Sequence, residues 1–220
     1  KEKKPIPETV VFIEEIKKSG KNPFFITNNS SMTKMQVQEK LESFGVKADR
    51  SRIMTSALAA AKYCRENYNG LSVMMIGEKG LEDALEMEGI RLTNKNPDVV
   101  IMGIDRENTY AKLADACLAI KDGAHFVATN GDKAIPTERG LLPGNGSFIK
   151  LMEFATGKSP VFVGKPESHM LSFIQQENGF TKNEMVMIGD NYDTDILAGI
   201  RFGIDTIHVG GGVTSKKEVL

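Results

Sequence analysis

Met185-Val186-Met187-Ile188-Gly189-Asp190-Asn191-Tyr192-Asp193-Thr194-Asp195 carries four apolar residues in a row, a glycine, and then three carboxylates within six residues. The apolar run has the length of a buried strand, and residues 193–202 read as a helix. Strand, turn and helix in succession are the unit from which parallel α/β sheets are built. Carboxylates this close repel one another unless a cation is present. Part of the cluster has a structural explanation, because Asp193 can cap the following helix and Asp195 in its first turn suits the helix dipole. Capping does not account for Asp190, which comes directly after the strand. A metal reading therefore stands beside the capping one. Oxygen ligands in small number suit Mg²⁺, which keeps several waters and takes one or two carboxylates.

The same alternation continues in both directions. Downstream, residues 206–209 read as a strand. Upstream, a helix over 147–155 leads to a strand over 160–163 ending in Gly164-Lys165-Pro166, and a helix follows over 167–176. Nearer the start, a helix carrying Val10, Ile13 and Ile16 on one face precedes a strand over 23–26. That strand runs into Thr27-Asn28-Asn29-Ser30-Ser31. Helices are expected over 35–44, from an N-cap at Ser56 to Glu66, and over 78–88. Leu113, Ala116, Cys117 and Ile120 mark another by their i, i+3, i+4, i+7 spacing. Strands are expected over 71–76, 99–102 and 125–128, the second ending in Gly103-Ile104-Asp105. Residues 135–146 hold two prolines and three glycines without periodicity and read as a linker or hinge. The fold class is α/β, with a mostly parallel sheet. The division drawn from the hinge is a discontinuous core over 1–56 and 137–220 with a second α/β unit inserted over 57–136.

In such sheets ligands bind at the carboxyl ends of the strands. Three strand ends carry chemistry. A Thr hydroxyl, an Asn amide and free backbone N–H groups at Thr27, Asn28 and Asn29 can hold a phosphate oxygen, or they can simply cap the next helix. Lys165, held before a proline, can supply a compact positive charge, or can be a surface lysine. Asp190 with Asp193 and Asp195 is the third. Together they describe a phosphoryl-transfer site, with charge neutralisation by metal and lysine and donors for the equatorial oxygens. A nucleophile or base is missing from the set.

Composition narrows the alternatives. Of 220 residues 40% are hydrophobic, enough for a good core. Lys+Arg number 28 and Asp+Glu 29, so the net charge of −1 gives no footprint for nucleic acid or an anionic membrane. No apolar run reaches the ~18 residues of a membrane span. The two cysteines, Cys64 and Cys117, lie in helical patterns away from any metal-binding spacing and read as reduced thiols. A cytoplasmic setting is expected. The first residue is Lys1, and residues 1–7 are charged and proline-containing without the apolar stretch of a signal peptide.

The strand-end motifs resemble those of the haloacid dehalogenase superfamily. Phe25-Ile26-Thr27-Asn28-Asn29 is similar to its motif II, Gly164-Lys165-Pro166 to motif III, and the run from Gly189 to Asp195 to motif IV. Met102-Gly103-Ile104-Asp105, the stretch from Gly123 to Asp132, and the segments Pro136 to Gly140 and Pro143 to Ser147 resemble the NagD-like, or p-nitrophenylphosphatase, branch. The resemblance implies a Rossmann-like core with an inserted α/β cap. It implies a Mg²⁺-dependent phosphatase that acts on a small phosphorylated metabolite through an aspartyl-phosphate. Thr27, Asn28 and Asn29 would bind the phosphoryl group, and Lys165 would hold it. Asp190 would ligate Mg²⁺ with Asp195 supporting, and Asp105 would lie on the cap near the substrate or serve as a turn residue. A homodimer through the cap is implied by analogy. Motif I, which supplies the nucleophilic aspartate and an aspartate acid/base, is expected before residue 1, so these 220 residues alone are expected to be inactive. A regulator that binds a phosphate ligand without catalysis, and a phosphotransferase or mutase, are the competing readings.

Overall fold

The computed structural model describes residues 5–215; residues 1–4 of the charged start and residues 216–220 lie outside them. In chain order the strands are β1 (Phe25–Thr27), β2 (Ile53–Thr55), β3 (Ser72–Ile76), β4 (Arg91–Leu92), β5 (Val99–Met102), β6 (His125–Ala128), β7 (Ala134–Thr137), β8 (Gly140–Pro143), β9 (Val161–Phe162), β10 (Val186–Gly189) and β11 (Asp205–His208). The helices are α1 (Pro7–Lys18), α2 (Lys34–Ser43), α3 (Ser56–Asn67), α4 (Lys79–Met87), α5 (Tyr110–Lys121), α6 (Asn145–Thr156), α7 (His169–Asn178) and α8 (Leu197–Phe202).

A five-stranded parallel sheet runs in the order β4-β3-β5-β6-β9. Its middle strand, β5, is apolar and buried at every position because the sheet is covered on both faces. Side chains alternate between the faces. Val73, Val99, Ile101 and Val127 enter one core with α3, α4 and α7, contributed by residues such as Ala60, Leu85 and Ile174. Met74, Val100, Met102, Phe126 and Ala128 enter the other, against Ala116 and Ile120 of α5 and Ile149 and Met152 of α6. Four of these strands come from the unit expected over 57–136, and the fifth, β9, comes from beyond residue 136.

Two further parallel pairs carry the remaining motifs. β1 pairs with β2, Thr27 opposite Thr55, and β10 pairs with β11, Gly189 opposite His208. Ile26 of β1 packs on the cluster of Leu171, Met187, Ala198, Phe202 and Ile204 that backs β10. The parallel α/β class read from the sequence is the observed one.

Three local expectations need correction. Much of the stretch 135–146, read as a linker or hinge, belongs to the antiparallel β7–β8 hairpin, and Gly140 opens β8 at a φ of 113°. The cap of α3 is Thr55, whose hydroxyl accepts from the Leu58 N–H, while Ser56 is already helical and donates to the Asn28 carbonyl at 2.7 Å. The helix after β10 begins with a π-helical turn over Tyr192–Ile196, and its cap is Asn191 rather than Asp193. Among the described residues no helix is long and apolar enough to cross a membrane. Cys64 is buried, Cys117 is half-buried, and both are free thiols.

Candidate active site

β1 delivers Thr27 to a sharply folded polar loop. The Thr27 hydroxyl accepts from the Asn29 N–H at 3.1 Å. The Asn29 carboxamide turns back on its own chain and accepts from the N–H groups of Ser31 and Met32. Asn29 thus stabilises the turn that leads to α2, whose start is closed by a reciprocal capping box between Thr33 and Gln36. Buried Ser30 accepts from the Ile104 N–H at 3.2 Å, which ties this loop to the carboxyl end of β5.

Asn28 reaches furthest of these loop residues. Its Oδ1 accepts from the Lys165 N–H at 2.9 Å, and its Nδ2 donates to the Lys165 carbonyl at 2.9 Å and to Asp132 Oδ1 at 3.2 Å. One side chain therefore clamps both backbone groups of a residue 137 positions away. The neighbouring position must be glycine. A Cβ on Gly164 would sit 2.3 Å from the Thr129 carbonyl oxygen and 2.8 Å from Asn28 Oδ1.

The clamp holds the backbone from which the Lys165 side chain reaches β1 and Asp195. Its Nζ lies 3.3 Å from the Ile26 carbonyl oxygen and 2.5 Å from Asp195 Oδ1. Both side chains of this ion pair are only 10% exposed. The other oxygen of Asp195 accepts from the Asn191 N–H at 3.2 Å. Asp195 reaches this place because β10 ends in Gly189, where a Cβ would lie 2.2 Å from that of Asp195.

Asp190, half-buried at the end of β10, is held from the other side. Its Oδ2 accepts from the Val213 N–H at 3.0 Å, its carbonyl from the Thr214 N–H at 2.9 Å, and the Thr214 hydroxyl accepts from the Tyr192 N–H. A Cβ at Gly212 would fall 1.8 Å from Asp190 Oδ2, so the glycine-rich turn after β11 lets the chain close over this carboxylate.

Of the residues singled out from the sequence, Asn28, Lys165 and Asp195 form one hydrogen-bonded chain, and Asp190 flanks it through the turn between β10 and α8. Thr27 and Asn29 shape the loop beside it. Asp105 stands apart: it is buried, accepts from the Glu107 N–H at 2.9 Å, and pairs with Lys112 at 2.9 Å. Sequence reasoning missed Ser56, Asn191, Asp132 and the 213–214 backbone as supports. The Gly210-Gly211-Gly212 run was the one visible signal of a close approach.

The donor set suits a hard cation. Asp190 Oδ1 makes no hydrogen bond among the described residues, whereas both oxygens of Asp195 are engaged. No group of three or more His, Cys, Asp or Glu able to hold a metal occurs among the described residues. Two carboxylates fit Mg²⁺, which fills its shell with water and substrate oxygens, and fit poorly a metal wanting several protein ligands.

Comparison with known proteins identifies the family of the chain that carries this site. The family described as haloacid dehalogenase-like hydrolase matches residues 1–91, and a related hydrolase-like family matches residues 162–220. The 5'-nucleotidase YutF of Bacillus subtilis is 45% identical over 214 residues, covering 97% of this chain and 84% of that protein. The chain belongs to the haloacid dehalogenase-like hydrolases. Within that family it is a phosphatase of the p-nitrophenylphosphatase, or NagD-like, branch, a hydrolase acting on phosphomonoesters. A thermostable NPPase double mutant from Geobacillus stearothermophilus superposes with a TM-score of 0.94 at 46% identity, over 96% of this chain and 86% of that one. The glycerol phosphate phosphatase Rv1692 from Mycobacterium tuberculosis, solved in complex with magnesium, superposes at 0.87 with 32% identity, over 92% of this chain and 62% of that one.

Proposed function

We propose that this haloacid dehalogenase-like hydrolase is a Mg²⁺-dependent phosphatase of a small phosphorylated metabolite. The observation that carries the reading is Lys165, clamped by Asn28 and paired with buried Asp195, together with Asp190, whose Oδ1 makes no hydrogen bond among the described residues. The Lys165 ammonium, short of water, offers strong attraction to a phosphoryl oxygen at the mouth of the strands. The Thr27 hydroxyl, which accepts from the Asn29 N–H, has its own proton to donate to another phosphoryl oxygen. Asp190 would hold Mg²⁺ directly and Asp195 would support it while fixing the lysine. Bound there, the ion would supply positive charge against the negative charge of the phosphoryl group.

The nucleophile in this reading is the aspartate of an Asp-x-Asp segment expected before residue 1. Its carboxylate oxygen bonds phosphorus as the ester oxygen departs with the bonding electrons and takes up a proton. Water then attacks phosphorus, releases inorganic phosphate and restores the carboxylate. The unit around β3, β5 and β6 acts as a cap that limits water and selects substrate. The two free thiols fit a reducing, cytoplasmic setting.

The test is a substrate panel offered to the protein carrying the Asp-x-Asp segment: p-nitrophenyl phosphate, nucleoside 5'-monophosphates, hexose phosphates and glycerol phosphate. Release of inorganic phosphate from at least one small ester is expected. No release from any of them refutes the proposal.

A further inference from the structure

Asp132 lies in the turn after β6, on the five-stranded sheet, and the reaction described above gives it no step. Its two carboxylate oxygens face two different amides. Oδ1 accepts from Asn28 Nδ2 at 3.2 Å and Oδ2 accepts from Asn130 Nδ2 at 2.7 Å. Asn130 Oδ1 in turn accepts from the buried Thr129 hydroxyl at 3.0 Å. The Asp132 backbone is fixed as well, because its carbonyl accepts from the Gly146 N–H at the start of α6.

Asn28 has two N–H donors and one carbonyl acceptor in its side chain. One donor and the acceptor are spent on the two backbone groups of Lys165. The second donor points at Asp132. A carboxylate there accepts only, so it fixes which end of the Asn28 amide faces which Lys165 group. The polar chain then runs without a break from Thr129 and Asn130 through Asp132, Asn28 and Lys165 to Asp195, joining the end of β6 to the loop after β10.

We propose that Asp132 is a positioning residue for Lys165, acting through the Asn28 amide. It touches no reacting atom. It carries the placement of the five-stranded sheet to the lysine, so a displacement of β6 relative to β1 loosens the grip on phosphate. The inference rests on the reading of Lys165 as the phosphate-holding group.

The experiment compares Asp132→Ala, Asp132→Asn, Asn28→Ala, the double Asp132→Ala/Asn28→Ala and Lys165→Met in the full-length enzyme. The readouts are kcat and KM for p-nitrophenyl phosphate, competitive inhibition by inorganic phosphate, and Tm. Misplacing a reacting group by about 1 Å can cost on the order of 100-fold. Asp132→Ala should therefore lower kcat/KM by roughly 10-fold to 100-fold and weaken phosphate inhibition with it. Asp132→Asn keeps one acceptor for two donors and should fall between. The double variant should lose little more than Asn28→Ala alone, since both act on one path. A fall in Tm without change in kcat/KM or phosphate inhibition would show a merely structural role and overturn the proposal. So would additive losses in the double variant. If Asp132→Ala does not fold, Asp132→Asn decides, and its parity with the parent overturns the proposal. Lys165→Met separates the two levels. Retained turnover there sinks the site reading and this proposal with it, whereas loss there with intact Asp132 variants sinks this proposal alone.

Discussion

Replacing Lys165 by methionine probes the buried ion pair on which the site is built. The substitution keeps the length of the apolar stem and removes the charge. Asp195 would then retain only the Asn191 N–H on one oxygen, while its other oxygen, now facing the 10%-exposed slot left by Lys165, would have no partner. Stripping one partner from a buried pair costs about 3–5 kcal/mol, mostly the penalty of the uncompensated charge. For a chain of this size about 1 kcal/mol shifts Tm by about 2–4 °C, so a fall of roughly 6–20 °C is expected. Asp195→Asn should be destabilising for the mirror reason. The double variant Lys165→Met/Asp195→Asn leaves no buried charge and keeps an acceptor for the Asn191 N–H, so it should recover much of the loss. Urea unfolding followed by circular dichroism in EDTA measures all four proteins without a metal contribution. Single variants within about 1 kcal/mol of the parent, or a double variant that loses the sum of the two, would refute the claim that this pair is buried and mutually dependent.

Gly189→Ala places a methyl group 2.2 Å from the Asp195 Cβ, so the π-helical turn must shift; a loss of about 1–3 kcal/mol in urea unfolding is expected, with Lys165-dependent activity falling alongside. Burial pushes the Cys64 thiol up to about 12, so it should ignore a thiol reagent at pH 8 in the native protein and react once unfolded, whereas rapid native labelling at Cys64 would contradict the packing. Burial also lowers the His169 pKa below its ordinary 6.5, although Glu167 and Glu66 oppose the shift. The unfolded chain then takes up the proton first. The contribution of His169 to stability is therefore full above pH 6.5 and declines as pH falls from there toward the folded value. His169→Gln should flatten that part of the stability–pH curve, and an unchanged curve would exclude His169 as its source.

The sequence showed most plainly the elements buried on both sides. The 99–102 and 125–128 runs became β5 and β6 at those same bounds, since β5 is apolar and buried throughout and β6 is so at every position after the exposed His125. The β7–β8 hairpin was hidden for the opposite reason. Seven of its eight strand residues are exposed and the other is half-buried, so no alternation marks them, and Pro136 and Pro143 argue for a loop. Caps were misplaced by one or two residues where hydroxyl or Asx side chains adjoin, as at Thr55 and Ser56 or Asn191 and Asp193. Capping chemistry is local, and either neighbour can perform it until packing chooses.

Strand ends told which segments meet, but not which atoms. Nothing in the spacing of Asn28 and Lys165 announces that one amide will hold both backbone groups of the other residue. Asp132 was visible only as a turn residue, because one partner, Asn130, lies in that same turn and the other, Asn28, lies at the end of another strand. Asp105 shows the reverse case: a carboxylate at a strand end whose observed partners are its own turn and Lys112 on α5.

Metal removal and return is the most direct test of the central claim. Protein that includes the Asp-x-Asp segment proposed above is stripped with EDTA and assayed on p-nitrophenyl phosphate as Mg²⁺ is added back, with Asp190→Ala beside it. The account predicts no turnover after EDTA, saturable recovery with Mg²⁺, and no recovery in the variant. Undiminished hydrolysis after metal removal, or full Mg²⁺-dependent activity in Asp190→Ala, would contradict it.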